Sequence, residues 1–180
     1  YLSHAQGKSN QRVYVLDEAG RSYALAINSL PSARGMGEPL SSKLAPANGI
    51  GFKQVFIADD DAELIVASNK GYGFKTQAKQ LDTSAKAGKA FLSLAEGASA
   101  LDLQTVDGAT HLAVLSSAGR LLVLDLEELP SLNKGKGNKL IQLDAKDQII
   151  SMTTLGLNEI IQLLAGQQQL KLKSDDLQKY

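Results

Sequence analysis

The chain repeats itself with a period near 50 residues, and that repeat limits the fold more than anything else in the sequence. VYVLDEAGRSYALAINSLPSARGMG (13–37), LIVASNKGYGFKTQAKQLDTSAKAG (64–88) and LAVLSSAGRLLVLDLEELPSLNKGKG (112–137) share one pattern. Each has an apolar run, a glycine-bearing turn, a second apolar run, and a leucine ten residues after the turn glycine: Gly20 to Leu30, Gly71 to Leu81, Gly119 to Leu129. A shorter fourth copy closes the chain, with Leu177 ten residues after Gln167. A period of this length means stacked or radially arranged supersecondary units.

The paired runs read as β-hairpins. Val13–Leu16 and Ser22–Ile27 flank the first turn, Leu64–Ser68 and Gly73–Thr76 the second, and Leu112–Ser116 and Leu121–Asp125 the third. Ile160–Leu164 and Gln169–Leu172 form the fourth pair. Runs of this length are too short for helices, and glycine supplies the positive φ that tight hairpin turns need. Leu121 and Val123 fall on one face and Leu122 and Leu124 on the other, which suits a strand packed between two neighbouring sheets.

After each hairpin comes a polar, glycine- and base-rich stretch (Ser32–Gly37, Ser84–Lys89, Asn133–Lys139). A short apolar segment then follows, such as Ala90–Leu94 or Leu140–Leu143. That leaves room for four strands per repeat, the content of a propeller blade. Ser41–Gly51, Glu96–Ala100 and Asp144–Gln148 read as loops between blades. Residues 1–180 read as one all-β domain of about four repeats, with turns near residues 20, 71, 119 and 167.

The 180 residues suffice for a real core, but aromatics are only 5% and Trp is absent, so Leu, Ile, Val and Ala must build it. Cysteine is absent, which excludes disulfides and thiolate metal sites and fits a reducing cytosolic compartment. No apolar run approaches the roughly 20 residues of a membrane span. The sequence starts at Tyr1 with no signal-peptide pattern, and reads as a segment of a longer chain. Formal net charge is zero, unlike a strongly basic nucleic-acid binder. The charge is unevenly spread, however. Lys70, Lys75, Lys79, Lys86 and Lys89 crowd one stretch against Asp82 alone, and Asp59, Asp60, Asp61 and Glu63 crowd another.

Catalytic and metal motifs fail on inspection. The G-x-G triplets at Gly35, Gly49, Gly71 and Gly135 meet Leu40, Gln54, Thr76 and Leu140 where a dinucleotide fingerprint needs its third glycine. Gly7-Lys8-Ser9 lacks the leading glycine of a P-loop, since Leu2 stands there. Asp59, Asp61 and Glu63 alternate as in a calcium loop, but Leu64 and Lys70 hold the positions that need Gly and Glu. His4 and His111 have no metal-ligand spacing, and Ser131-x-x-Lys134 stands without the companion motifs of its enzyme class. The expectation is no catalytic residue, no metal and no cofactor in this chain. What remains are the basic loops: Arg34 to Gly37, Lys86 to Lys89, and Lys134, Lys136 and Lys139. They recur at equivalent places and suit phosphate without carrying a base code. By residue chemistry alone they are equally ordinary solvated loops.

At these loops and hairpins the chain resembles a known family. GKSNQ (7–11), GRSYAL (20–25), LPSARGMGEPLSSKL (30–44), ASNKGYGF (67–74), AGKAFLSL (87–94), LPSLNKGKGNKLIQL (129–143) and QLKLKSDDLQK (169–179) carry the likeness. It is to the C-terminal domain of the A subunit of bacterial topoisomerase IV, sister of the gyrase A C-terminal domain, and runs essentially end to end. The resemblance implies a β-pinwheel, a propeller-like ring of four-stranded blades that exchange strands between neighbours. It also implies a non-catalytic module that binds and bends duplex DNA without sequence preference, presenting segments for decatenation and supercoil relaxation. Its partners would be the N-terminal part of the same polypeptide and the B subunit of topoisomerase IV. ATP and Mg would be used elsewhere in the holoenzyme, in the bacterial cytoplasm at the nucleoid. Family members begin with a further blade before GKSNQ, so the ring here is expected to be open or N-terminally truncated.

The seven-residue box of gyrase A, Gln-Arg-Arg-Gly-Gly-Lys-Gly, is absent, and Asn133–Lys139 is the nearest segment. The topoisomerase IV branch is therefore favoured over gyrase-type wrapping, and a protein-interaction propeller is the other rival. The expected phosphate contacts are Arg21, Arg34, Lys70, Lys75, Lys79, Lys86, Lys89, Arg120, Lys134, Lys136 and Lys139.

Overall fold

In the computed structural model every regular element is a strand or a short 3-10 turn. The structure describes residues 3–8, 10–32, 34–156, 159–165 and 168–172. The turn near residue 167 and Leu177 lie outside them.

Four antiparallel hairpins head four sheets. They are β1 (Arg12–Asp17) with β2 (Arg21–Ala26), β4 (Glu63–Ala67) with β5 (Tyr72–Gln77), β8 (His111–Ser116) with β9 (Leu121–Asp125), and β12 (Ile161–Ala165) with β13 (Gln168–Leu172). Each of the first three gains a strand on its first-strand side: β3 (Phe52–Ala58) beside β1, β7 (Gln104–Thr105) beside β4, and β11 (Ile149–Leu155) beside β8. The first two also gain a strand on the other side. β6 (Lys89–Ala90) pairs with β2, and β10 (Asn138–Lys139) pairs with β5.

The origin of those outer strands identifies the architecture. β6 follows β5 in the chain yet closes the sheet of β1 and β2. β10 follows β9 yet closes the sheet of β4 and β5. The second and third repeats thus each lend the strand that follows their hairpin back to the preceding blade. These two strands are two residues long and begin just before the apolar segments expected at Ala90–Leu94 and Leu140–Leu143. The chain continues from them onto the preceding hairpin turn: Phe91 N–H and Leu92 N–H both donate to Gly20 O, and Leu140 N–H donates to Gly71 O.

The strands added beside β1, β4 and β8 converge on one axis. The Gln54 side chain makes two hydrogen bonds to the Leu103 backbone, at 2.7 and 3.3 Å, and Thr154 Oγ1 donates to Thr105 O. β3, β7 and β11 therefore line the inside, and β6 and β10 lie on the perimeter.

Apolar clusters fill the spaces between blades. Tyr14, Leu16, Leu64, Val66 and Phe74 join blades one and two. Ile65, Ala67, Leu112, Val114 and Ile149 join two and three. Ala113, Leu121, Val123, Leu155 and Ile161 join three and four. Leu121 and Val123 thus face one neighbour while Leu122 and Leu124 face the other, as strands buried on both sides require. The free face of blade one (Val13, Val15, Tyr23) is covered by Leu30, Leu40 and Leu44 from the stretch after β2. Among the described residues no apolar cluster joins blades one and four.

Tyr14 Oη and Thr76 Oγ1 are buried without a hydrogen-bond partner among the described residues, whereas both carboxylate oxygens of Asp17 are partnered within the repeat. Asp17 is fully buried, accepting from Tyr23 Oη at 2.8 Å and from Arg21 N–H at 2.9 Å. Burial, and then this bond to Asp17, push the Tyr23 hydroxyl up to about 12. Tyr23→Phe is expected to cost about 1–3 kcal/mol, because it leaves a buried carboxylate oxygen without its donor. Urea denaturation would check this, and a cost below about 0.5 kcal/mol would show that water replaces the hydroxyl.

Candidate nucleic-acid interface

The two outer strands belong to longer straps that carry Lys86, Lys89, Lys134, Lys136 and Lys139. The first strap runs along the edge of blade one. Ser22 pairs with Lys89, Arg21 with Ala90, and Ala45 N–H donates to Lys86 O. The second begins at Pro130, whose carbonyl accepts from Lys75 N–H, and continues with Leu132 N–H donating to Lys75 O. It ends where Asn138 and Lys139 pair with Gly73 and Tyr72. Between these points the second strap crosses the first: Gly135 N–H donates to Phe91 O, and Ser93 N–H to Gly135 O. The straps therefore form one hydrogen-bonded belt around the perimeter of blades one and two.

Glycine is required where the belt presses on a hairpin. A Cβ on Gly88 would stand 2.6 Å from the Tyr23 ring, and one on Gly137 only 2.1 Å from Gly73 O. Both glycines have positive φ, 70° and 79°, a region that costs other residues roughly 1–2 kcal/mol.

Seven of the eleven expected contacts gather on this belt and the turns beneath it. On blade one, Arg21 clamps the strap, with Nε donating to Ala87 O at 2.9 Å and Nη2 to Gly88 O at 2.8 Å. Lys89 Nζ donates to Gln80 O, and Lys86 is exposed. Carbonyl partners hold these cations in place and leave their charge unbalanced. On blade two the centre is Tyr72. Lys136 Nζ lies 3.7 Å from its ring centroid, Lys139 is its strand partner, and Lys70 is two residues away in the turn. Lys139 Nζ donates to Gln142 Oε1.

Lys134 is exposed on the strap where it crosses from blade two to blade one. The other four are placed differently. Lys75 is half-buried on β5 beside the same strap. Lys79 lies in the 3-10 turn Ala78–Leu81, at the end of the sheet opposite the hairpin turns, with its N–H on Asp60 O. Arg34 is exposed in the stretch after β2, which lies on no strap edge among the described residues. Arg120, in the third hairpin, is ion-paired with Asp144. The acidic run Asp59–Glu63 sits at the Lys79 end, where β3 turns into β4. A neutral chain thus separates a basic belt from an acidic turn.

Sequence reading missed Tyr72 as a platform and Asp144 as a neutralising partner. The repeat held a signal for the first, since Gly20, Gly71 and Gly119 align Arg21, Tyr72 and Arg120. Asp144 belongs to a loop fixed by its neighbour: buried Asp147 accepts from Ser117 Oγ at 2.7 Å, Ala118 N–H at 3.0 Å and Gln148 N–H at 2.9 Å. Those bonds, the one from Ser117 first, hold its carboxyl down at about 2. Among the described residues no cluster of His, Cys, Asp or Glu could hold a metal, and no helix is long and apolar enough to cross a membrane.

Residues 62–107 and 110–155, which are the second and third repeats, match the family described as the DNA gyrase C-terminal domain, β-propeller. The chain belongs to this family. It is 44% identical to the A subunit of DNA topoisomerase 4 from Haemophilus influenzae and 41% identical to that from Pseudomonas aeruginosa, in each case over all of this chain and 25% of the relative. The chain therefore spans about a quarter of the length of these relatives. Among solved structures, the Escherichia coli ParC C-terminal domain superposes with a TM-score of 0.89 at 37% identity, covering 96% of this chain and 73% of that one. A second, described as the C-terminal domain of DNA topoisomerase IV, superposes with a TM-score of 0.81 at 16% identity, covering 93% and 55%, and supports the fold alone. The strand-exchanging array of blades is this family's propeller.

Proposed function

We propose that this chain is the DNA-binding and DNA-bending module in the A subunit of a topoisomerase IV, holding duplex phosphates along its outer belt. The observation that carries the reading is the continuity of that belt. Two straps, hydrogen-bonded to each other, carry Lys86, Lys89, Lys134, Lys136 and Lys139 past Arg21 and Lys70 on the convex edge of adjacent blades. Separated cations on a curved edge meet successive phosphates only if the duplex follows the curve. Such contacts neutralise the backbone and leave the base edges unread.

In this reading the domain needs no cofactor. DNA cleavage and ATP hydrolysis with Mg fall to the rest of the polypeptide and to the B subunit of the holoenzyme. The role of the domain is to present a segment to that machinery for decatenation and supercoil relaxation, in the bacterial cytoplasm at the nucleoid. The Asp59–Glu63 turn would repel DNA and keep it on the belt side.

The test is fluorescence anisotropy on a short mixed-sequence duplex across a salt series. Replacing Lys70, Lys136 and Lys139 together by Gln is expected to flatten the slope of log K on log salt by about 2.7. It should weaken binding about tenfold or more at low salt, equally for all sequences. The thermal melt should move little, because the three side chains are at the surface. An unchanged affinity and slope would move the function to a protein-interaction scaffold.

A further inference from the structure

The third hairpin breaks the electrostatic pattern of the other two, and the break has a structural cause. In each repeat a loop is docked on the hairpin turn by the same backbone bond: Glu18 N–H to Gly51 O, Asn69 N–H to Ser99 O, and Ser117 N–H to Gln148 O. In each, that loop contains a tight turn three residues earlier: Ile50 N–H to Ala47 O, Ala98 N–H to Ala95 O, and Asp147 N–H to Asp144 O, all 3.0 Å. Ala47, Ala95 and Asp144 are therefore equivalent positions, and only the third blade has a carboxylate there.

That carboxylate meets the guanidinium equivalent to Arg21. Arg120 Nη2 lies 2.5 Å from Asp144 Oδ2. The turn is pinned by buried Asp147 through Ser117 and Ala118, so Asp144 is held beside the hairpin. The contrast with blade one is chemical. Arg21 rests on two carbonyls and keeps its net charge, whereas Arg120 is neutralised. Both side chains of the Arg120–Asp144 pair are more than half exposed. Exposed pairs of this kind add little to stability, so the main effect of this one is on the field outside the protein.

We propose that Asp144 is a specificity residue whose carboxylate takes the place of a DNA phosphate on Arg120 and so ends the phosphate path at the third blade. The proposal rests on the phosphate-binding reading of the belt. It makes the number of blades engaged by DNA a property of one side chain, one that competes with phosphate for a single guanidinium.

The experiment uses the full-length protein that carries this chain, the same labelled duplex, and salt between about 50 and 200 mM. Asp144→Asn and Asp144→Ala are each expected to steepen the slope of log K on log salt by about 0.9, one additional phosphate. The gain in affinity would be about threefold larger at the low-salt end than at the high-salt end. Arg120→Gln alone is expected to leave binding unchanged, and in the Asp144→Asn background it should abolish the gain. An unchanged slope in both Asp144 variants overturns the proposal. So does a gain that survives Arg120→Gln, or a loss of affinity in Arg120→Gln alone, which would mean that Arg120 already holds a phosphate. The Lys70, Lys136 and Lys139 triple variant is run alongside. If it binds like the wild type, the belt reading has failed and the proposal fails with it. If it loses affinity while the Asp144 variants are silent, only the proposal has failed.

Discussion

Gly137→Ala is expected to destabilise the protein by about 3 kcal/mol and to weaken duplex binding at the same time. The new Cβ would stand 2.1 Å from Gly73 O, a contact no side chain tolerates. Gly73 is itself held in place by its pairing with Ala67 on β4. The positive φ of 79° at Gly137 adds strain for any L-residue. The strap must therefore lift off β5, giving up the pairs of Asn138 and Lys139 with Gly73 and Tyr72 and the bond from Leu140 N–H to Gly71 O. Lys136 and Lys139 leave with it. Gly97→Ala is the control. Its φ is 69°, but a Cβ there meets nothing within 4 Å, so only the backbone strain of about 1 kcal/mol remains. Thermal unfolding separates the two variants. Equal melting points would show that the strap can seat an alanine, and that its glycine is not what holds the belt down.

Phe74→Ala carries the largest expected stability cost, about 3–5 kcal/mol. Phe74 is fully buried on β5, in the cluster where Tyr14 and Leu16 of blade one meet Leu64 and Val66 of blade two. The same cluster holds Phe91 and Leu92, which continue the first strap. Close-packed interiors relax only partly around such losses. Ile150→Ala removes a comparable side chain that is 55% exposed and should cost under about 0.5 kcal/mol. Chemical denaturation provides the comparison. A cost below about 1 kcal/mol at Phe74 would mean that the two blades are not coupled through this cluster.

The hairpins were legible because their signal is local. A glycine turn between two apolar runs can be read within ten residues, and the two-faced apolarity of Leu121–Leu124 correctly announced sheets on both sides. The inner strands were not legible. β11 buries Ile149, Met152 and Leu155, a spacing of three: a bulge between Ile149 and Ser151 brings Ile149 and Met152 into one cluster, while Leu155 faces the other neighbour. β3 contains Lys53 and Gln54, and Gln54 is there to bond the Leu103 backbone across the axis rather than to fill a core. Neither pattern follows the period of two by which strands are recognised.

Among the basic residues, the recurrence of Lys86–Lys89 and Lys134–Lys139 could be read from the repeat. Their roles could not, because charge in a sequence has no partner attached to it. Lys79 and Lys70 are nine residues apart yet stand at opposite ends of the sheet, one beside Asp60 and the other in the hairpin turn. Arg120 looks like Arg21 in sequence, and only the docked Asp144 loop distinguishes them.

The sequence by itself determined the repeat, the hairpins and the all-β class, since these depend on the order of neighbouring residues. Tertiary structure decided which blade each strap closes, which cations share an edge, and which one is already neutralised. Those outcomes depend on contacts between residues tens of positions apart, such as Phe91 on Gly20 or Asp144 on Arg120, and a periodic sequence leaves the pairing between repeats open until the blades pack.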